Sequence, residues 1–256
     1  MPEQTLAGQV ALVTGIANQN SIAYGVARAL KARGAELVLT YLNARTRDFV
    51  APLLEELQPA LFLECDVQKA GQLEAVFAEI DGRFGKLDIG IHSIAFAPMD
   101  DLHGRIVDTS REGFLQAMDI SCHSFVRLSA LAEPLMKTGG TLITMSYYGA
   151  EKVVPNYGVM GPVKAALEST VRYMANELGQ KKIRVHAVSP GPVRTRAAGG
   201  IREFDLLIDE AARRAPLGEL IDIDDVGAAA AFLCEPQARR LTGTTLYVDG
   251  GMHVLA

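Results

Sequence analysis

Residues 9–25 read Gln-Val-Ala-Leu-Val-Thr-Gly-Ile-Ala-Asn-Gln-Asn-Ser-Ile-Ala-Tyr-Gly. The run Gln9–Thr14 is short and apolar and ends at Gly15, so it predicts a buried strand closed by a turn. From Ser21 to Arg33 the apolar residues Ile22, Val26, Ala29 and Leu30 recur at helical spacing until Gly34 stops them. Strand, glycine turn and helix follow within 25 residues, and the rest of the chain repeats that rhythm.

Further strands are predicted at Glu36–Tyr41, Leu61–Cys65, Leu87–Ala95, Thr141–Ser146, Ile183–Val188 and Thr244–Val248. Helices are predicted at Thr46–Leu57, Gly71–Phe84 (Leu73, Val76, Phe77 and Ile80 on one face), Ser110–Met136 and Gly158–Gly179 (Val163, Leu167, Val171, Met174 and Leu178). Two more helical patterns lie between Pro190 and Gly243. Apolar strands alternating with helices imply a parallel sheet covered on both faces. The expectation is a Rossmann-type doubly wound α/β fold with a seven-stranded parallel sheet, residues 1–256 forming one domain. No linker and no short repeat divides it.

Composition narrows the function. The chain has 256 residues, a formal net charge of -5 and a hydrophobic fraction of 49%. An acidic balance without a basic face argues against nucleic acid as a partner. No apolar run is long enough to span a bilayer, and Met1–Gly8 lacks the features of a signal peptide. A cytoplasmic protein is expected. Cys65, Cys122 and Cys234 are odd in number and widely spaced, which fits neither a disulfide framework nor a metal site. They read as small buried hydrophobes, and no metal is expected.

The turn after the first strand is where such a fold receives a pyrophosphate. Glycine admits backbone N–H groups to the phosphates, and the helix N-terminus adds a favourable dipole. Gly15 makes the turn. Ser21 either caps the helix or bonds a phosphate, and Gly25 is expected to let the helix approach the strand. The usual G-x-G-x-x-G is absent. An acid ending the second strand would bind the ribose of NAD, but Tyr41-Leu42-Asn43 has none. Arg45 and Arg47 follow and offer either a grip on a 2′-phosphate or a solvated helix start, so NAD and NADP both stay open. Asp66 is placed to receive an adenine amino group or to cap a helix.

Tyr157 and Lys164 are seven residues apart, close to two helical turns, so both side chains fit one helix face. A lysine beside a tyrosine favours the tyrosinate and lowers its pKa, and it can also hold ribose hydroxyls. A second pair, Tyr148-Gly-Ala-Glu-Lys152, has the Y-x-x-x-K spacing of ordinary short-chain dehydrogenases. Val153-Val154-Pro155 follows at once, which denies it a helix. It reads as a surface loop.

Taken together, these stretches resemble the bacterial enoyl-acyl-carrier-protein reductases, a divergent branch of the short-chain dehydrogenases, from Gln9 to Met252. The motifs are Ser21-Ile-Ala-Tyr-Gly25, Cys65-Asp-Val67, His92-Ser-Ile-Ala-Phe-Ala-Pro98, Ser146-Tyr147, Pro155-Asn-Tyr157, Val159-Met-Gly161, Arg172-Tyr-Met-Ala175 and Gly191-Pro-Val-Arg-Thr195. The resemblance implies that Tyr157 and Lys164 are the catalytic pair, with Tyr147 beside the substrate and Ala97 touching the acyl chain. It implies a cofactor site of Gly15, Ser21, Ile22, Leu42, Asp66, Val67, Ile94, Lys164, Val193, Arg194, Thr195, Arg196 and Ala197. It further implies NADH as cofactor with NADPH possible, acyl-carrier protein as partner, a homotetramer, and a lid at about 194–215 with Gly199-Gly200 as hinge.

The chain departs from the family pattern at four places: Leu42 near the adenosine ribose, Pro162 between the catalytic pair, Ser189-Pro190-Gly191, and Cys122-His123. Pro162 is harmless only if the helix begins late enough to hold it in the first turn. The implied reaction passes hydride to the β-carbon of a trans-2-enoyl thioester while Tyr157 stabilises the enolate. The rivals are an ordinary short-chain dehydrogenase acting on a ketone or alcohol, and a non-catalytic NAD-binding regulator.

Overall fold

Seven parallel strands form one sheet in the order β3-β2-β1-β4-β5-β6-β7. They are β1 Val10–Thr14, β2 Glu36–Tyr41, β3 Leu61–Glu64, β4 Ile89–His92, β5 Gly140–Met145, β6 Ile183–Pro190 and β7 Thr245–Val248. The computed structural model describes residues 4–195 and 204–255. Its helices are α1 Ile22–Ala32, α2 Ala44–Val50, α3 Leu54–Leu57, α4 Gln72–Phe84, α5 Met99–His103, α6 Arg111–Met118, α7 Ser124–Ala132, α8 Met160–Leu178, α9 Phe204–Arg214 and α10 Ile223–Cys234. The doubly wound sheet expected from the sequence is present.

Two apolar layers hold it together. Leu12, Leu142, Val185 and the inner faces of α4, α7 and α8 fill one side. Leu37, Leu39, Ile91 and the inner faces of α1 and α10 fill the other. Each fully buried leucine or isoleucine contributes about 1.5–3 kcal/mol relative to exposure. Cys65, Cys122 and Cys234 are buried and free within these layers, as expected of small hydrophobes.

Several boundaries differ from expectation for local reasons. The stretch expected as one helix at Thr46–Leu57 is two helices joined by a 3-10 turn at Ala51–Leu53, where Pro52 lacks an N–H to donate. Asn43 caps the first of them, accepting from Thr46 N at 3.0 Å. Ser110–Met136 is likewise not continuous: a π-turn at Asp119–His123 separates α6 from α7. The strand expected at Leu87–Ala95 is only four residues long, because the chain leaves the sheet after His92. Helix α5 was not foreseen.

Gly25 serves a different contact from the one expected. A Cβ there would stand 2.1 Å from the Ile223 carbonyl, and one at Gly227 would stand 2.4 Å from the Gly25 carbonyl. The two glycines let α1 and α10 cross at backbone distance, so the close approach is helix on helix. A capping box at Asp222 and Asp225 fixes the start of α10 at that crossing. No described helix is long and apolar enough to cross a membrane.

Candidate active site

The sheet reverses its winding between β1 and β4, which pair in register Thr14↔His92. Ligands of open α/β sheets bind at the carboxyl ends of the strands beside that reversal. Gly15 leaves β1 with φ +87, and a Cβ would lie 2.0 Å from the Ser93 carbonyl. The turn therefore accepts only glycine, and it sits directly against the chain leaving β4. Ile94 lines the same crevice, 3.4 Å from the position of that Cβ. Ser21 precedes α1, but its hydroxyl makes no capping bond. It donates to the Asn18 carbonyl at 2.6 Å and accepts from Ala17 N at 3.4 Å, shaping the loop instead. Ile22 opens the helix behind it.

At the far end of the crevice, Leu42 is 50% exposed, and Arg45 and Arg47 lie exposed on α2. Asp66 is not the helix cap; Gly71 is. The Asp66 carboxylate instead accepts from Gln68 N at 3.0 Å in a local turn. Val67 beside it is buried, and its carbonyl accepts from Arg127 at 2.8 Å.

Tyr157, Lys164 and Tyr147 converge on the end of β5. The Lys164 ammonium is buried and donates to the Met145 carbonyl at 2.7 Å. Two residues later, Tyr147 packs edge to face on Tyr157, ring centroids 4.9 Å apart. The single-face helical argument does not hold for Tyr157. Helix α8 begins only at Met160, and Tyr157 lies in a turn between Asn156 (φ 59) and Gly158 (φ 38). Pro162 is the third residue of α8. In that first turn its missing N–H would have had no intrahelical partner, so Pro162 breaks nothing.

Burial sets the electrostatics. It depresses Lys164 to about 8, with Cys122 and Glu168 acting in the opposite direction. It raises Tyr157 far above the ordinary phenol range, and Tyr147 adds to the rise. The expectation that Lys164 would lower the tyrosine pKa is therefore wrong for this site: desolvation dominates, and Tyr157 stays a phenol that donates. Tyr147 is raised as well, again mainly by burial. The alternative pair sits in a single turn, linked by Lys152 N donating to the Tyr148 carbonyl at 3.1 Å. Tyr148 lies in a 3-10 turn at Tyr148–Ala150, no helix follows it, and Lys152 is exposed.

Sequence reasoning missed the residues that hold these groups. Gly149 makes room for the Tyr157 ring, since a Cβ there would lie 2.7 Å from its Cδ1. Helix α5 buttresses the tyrosine turn: a Cβ on Gly158 would lie 2.3 Å from the Leu102 carbonyl. The buried Asp101 carboxylate fixes α5 by accepting from Ser110 N at 2.6 Å. In the π-turn, the Ser121 hydroxyl clamps the Phe96 backbone, accepting from its N at 2.9 Å and donating to its O at 3.0 Å. That clamp sets the path of Ala97, which is partly buried against the core. His92 is fully buried between Thr144 (2.9 Å) and Ser124 (2.7 Å). Burial holds it neutral, down to about 3.

After β6 the chain passes through Val193, Arg194 and Thr195. The first two line a cavity of about 270 Å³ with Asn20 from the loop after β1 and with Leu220 and Ile223. Arg196, Ala197 and the expected hinge at Gly199-Gly200 lie outside the described residues.

The family model described as enoyl-(acyl carrier protein) reductase matches residues 15–253. The NADH-type enoyl-[acyl-carrier-protein] reductase FabI of a Nostoc species is 48% identical over 253 residues, covering 98% of each chain. The Escherichia coli protein of the same name is 42% identical over 252 residues, covering 98% of this chain and 96% of its own. The crystal structure of the Anaplasma phagocytophilum reductase in complex with NAD superposes with a TM-score of 0.95 at 44% identity, covering 99% of this chain and 97% of that one. With its motifs spread along one doubly wound sheet and a match of this length, the chain belongs to the enoyl-(acyl carrier protein) reductase family of oxidoreductases.

Proposed function

We propose that this protein reduces the carbon–carbon double bond of trans-2-enoyl thioesters carried on acyl-carrier protein, in fatty acid synthesis, with NADH as reductant. The observation that carries the reading is the convergence on β5: Lys164 bound to the Met145 carbonyl and Tyr157 packed on Tyr147 two residues away.

The residues present fit a nicotinamide dinucleotide. Gly15 opens backbone N–H groups toward a pyrophosphate, with Ser21 and Ile22 at the start of an 11-residue helix. Lys164 spends one of its three donors on Met145, which leaves two for ribose hydroxyls. Leu42, Asp66, Val67, Ile94 and residues 193–197 complete the proposed lining. When bound, the dinucleotide supplies the hydride that reaches the β-carbon.

Tyr157 donates its phenol hydrogen to the thioester oxygen, where negative charge develops. A preorganised donor in a dry site is worth far more than one in water, and burial keeps this phenol protonated for the task. Tyr147 orients Tyr157 by ring contact and shields it from water. Lys164 holds the cofactor ribose and adds positive field, and Ala97 meets the acyl chain.

NADH is preferred, as the names of the NADH-type relatives suggest, and NADPH is usable, because the exposed Leu42 carries no charge to repel a 2′-phosphate. The protein works in the cytoplasm as a homotetramer. Phe114 and Leu115 on α6 and Tyr173 on α8 (71% exposed) are among the exposed apolar side chains available for that assembly. A monomer mass by light scattering would contradict it. Residues from about 194 to 215 form the substrate lid, and equal hydrogen exchange there with and without cofactor and substrate would contradict that. The function itself is tested by oxidation of NADH with crotonyl and longer 2-enoyl thioesters. Turnover of 3-ketoacyl thioesters instead would point to an ordinary short-chain dehydrogenase.

A further inference from the structure

One helical turn beyond Lys164, α8 buries a carboxylate that the proposed mechanism does not use. Glu168 is 5% exposed. The Ser146 hydroxyl donates to its Oε1, and the Thr245 side chain at the start of β7 also bonds it. Ser146 stands between Met145, which takes the Lys164 ammonium, and Tyr147, which carries Tyr157. Residues i and i+4 share a helix face, so α8 grips the end of β5 twice. Lys164 donates to it and Glu168 accepts from it. Burying a carboxylate is costly unless it is hydrogen-bonded, and the bonds from Ser146 and Thr245 are what hold this one at the end of β5.

We infer that Glu168 is a positioning residue. It fixes Ser146, and through it the Met145 carbonyl and Tyr147, and it sets a carboxylate one helical turn from the Lys164 ammonium on the same helix face. This rests on the reading of Lys164 as the group that holds the cofactor. The other groups facing the pair do not take that place. From the π-turn, Cys122 is a buried thiol with its pKa raised by burial. From β4, His92 is held neutral. On α8 itself, Arg172 is a cation that acts on Glu168. Glu151, from the turn after β5, and Tyr247, from β7, also act on or feel the charge of Glu168. Cys122 and, after it, Glu168 oppose the desolvation that depresses the ammonium. Burial holds the thiol protonated, whereas burial of Glu168 is countered by its bonds from Ser146 and Thr245, so the carboxylate is the one of the two that can supply an anion.

The test is Glu168→Gln in the full-length enzyme. Glutamine keeps an acceptor for Ser146, removes the charge and turns the other oxygen into an N–H donor whose hydrogen the Thr245 hydroxyl can accept. NADH binding by fluorescence and kcat/KM for a crotonyl thioester are measured from pH 6 to 10. Without the anion, Lys164 loses its proton at lower pH, so the alkaline limb of both profiles should move down by about one pH unit. NADH affinity at pH 6 should stay within about threefold of wild type. An unmoved alkaline limb in the folded variant overturns the inference, because a merely structural role would leave it in place. Should Glu168→Gln fail to fold, Ser146→Ala tests the positioning alone. Loss of about tenfold in both NADH affinity and kcat is expected, and wild-type values would overturn the inference. If the wild-type enzyme does not turn over enoyl thioesters, the functional reading fails while the NADH-binding profile still decides on Glu168.

Discussion

Tyr147 and Tyr157 meet edge to face with ring centroids 4.9 Å apart and planes at 66°, and Gly149 is the residue that lets them do so. An alanine at 149 would bring a methyl within 2.7 Å of Tyr157 Cδ1 and 2.9 Å of its Cε1. The ring must then move, while the fold loses little. Gly149→Ala is expected to lower kcat by at least about tenfold, about 1.4 kcal/mol at the transition state, with thermal stability near wild type. Unchanged kcat would show that the ring has freedom the packing denies it.

Lys164 predicts a pH signature in stability. Its pKa falls from 10.5 unfolded to about 8 folded, so the unfolded chain binds the proton more tightly. Burying the ammonium then costs about 3 kcal/mol below pH 8, and the cost fades as pH rises toward 10.5. Lys164→Met removes that cost and also leaves the Met145 carbonyl unsatisfied, an opposing loss of about 1–3 kcal/mol. The slope is therefore the test. The stability of the variant minus that of wild type, from denaturant unfolding, should decrease between pH 8 and 10.5. A constant difference would mean that Lys164 is not depressed.

The sequence made the strand–helix rhythm legible because buried parallel strands are short, apolar and closed by glycine or charge. It also made Tyr157 and Lys164 legible by type and neighbourhood. What it hid was tertiary. Periodicity cannot register one extra residue per turn, so the π-turn that aims Ser121 at the Phe96 backbone looked like plain helix. Glu168 sits at an ordinary helical position, and only the end of β5, 22 residues earlier, gives it meaning. The tyrosine pKa was misjudged because a lysine in the sequence announces a charge, whereas burial is a property of the assembled fold.

Helices α1 and α10 cross backbone to backbone at Gly25 and Gly227. Gly25→Ala would force a methyl to 2.1 Å from the Ile223 carbonyl, a backbone atom that cannot rotate away. Overpacking costs about 1–3 kcal/mol and occasionally more, and a rigid backbone neighbour puts this site at the upper end. A marked fall in melting temperature is expected, with partial rescue by bound NADH through mass action. A wild-type melting temperature would mean that the helices separate freely.

Cofactor choice turns on a surface. Arg45 is exposed near Leu42 on α2, and an exposed arginine contributes to a phosphate only when one is bound. NADH is expected to be used at least as well as NADPH, and Arg45→Ala should leave NADH kinetics unchanged. A kcat/KM for NADPH tenfold above that for NADH, lost in Arg45→Ala, would reverse the preference.

The most direct test removes one oxygen from each of two tyrosines. NADH oxidation with a 2-enoyl thioester is measured for Tyr157→Phe and Tyr148→Phe, with NADH binding followed in parallel. The buried phenol of Tyr157 is expected to carry the enolate, so Tyr157→Phe should lower kcat by about 10²–10⁴ while NADH affinity stays near wild type. Tyr148→Phe, in its 3-10 turn, should stay within about twofold. A mild Tyr157→Phe beside a damaging Tyr148→Phe would contradict the account and hand the chemistry to the Tyr148–Lys152 pair.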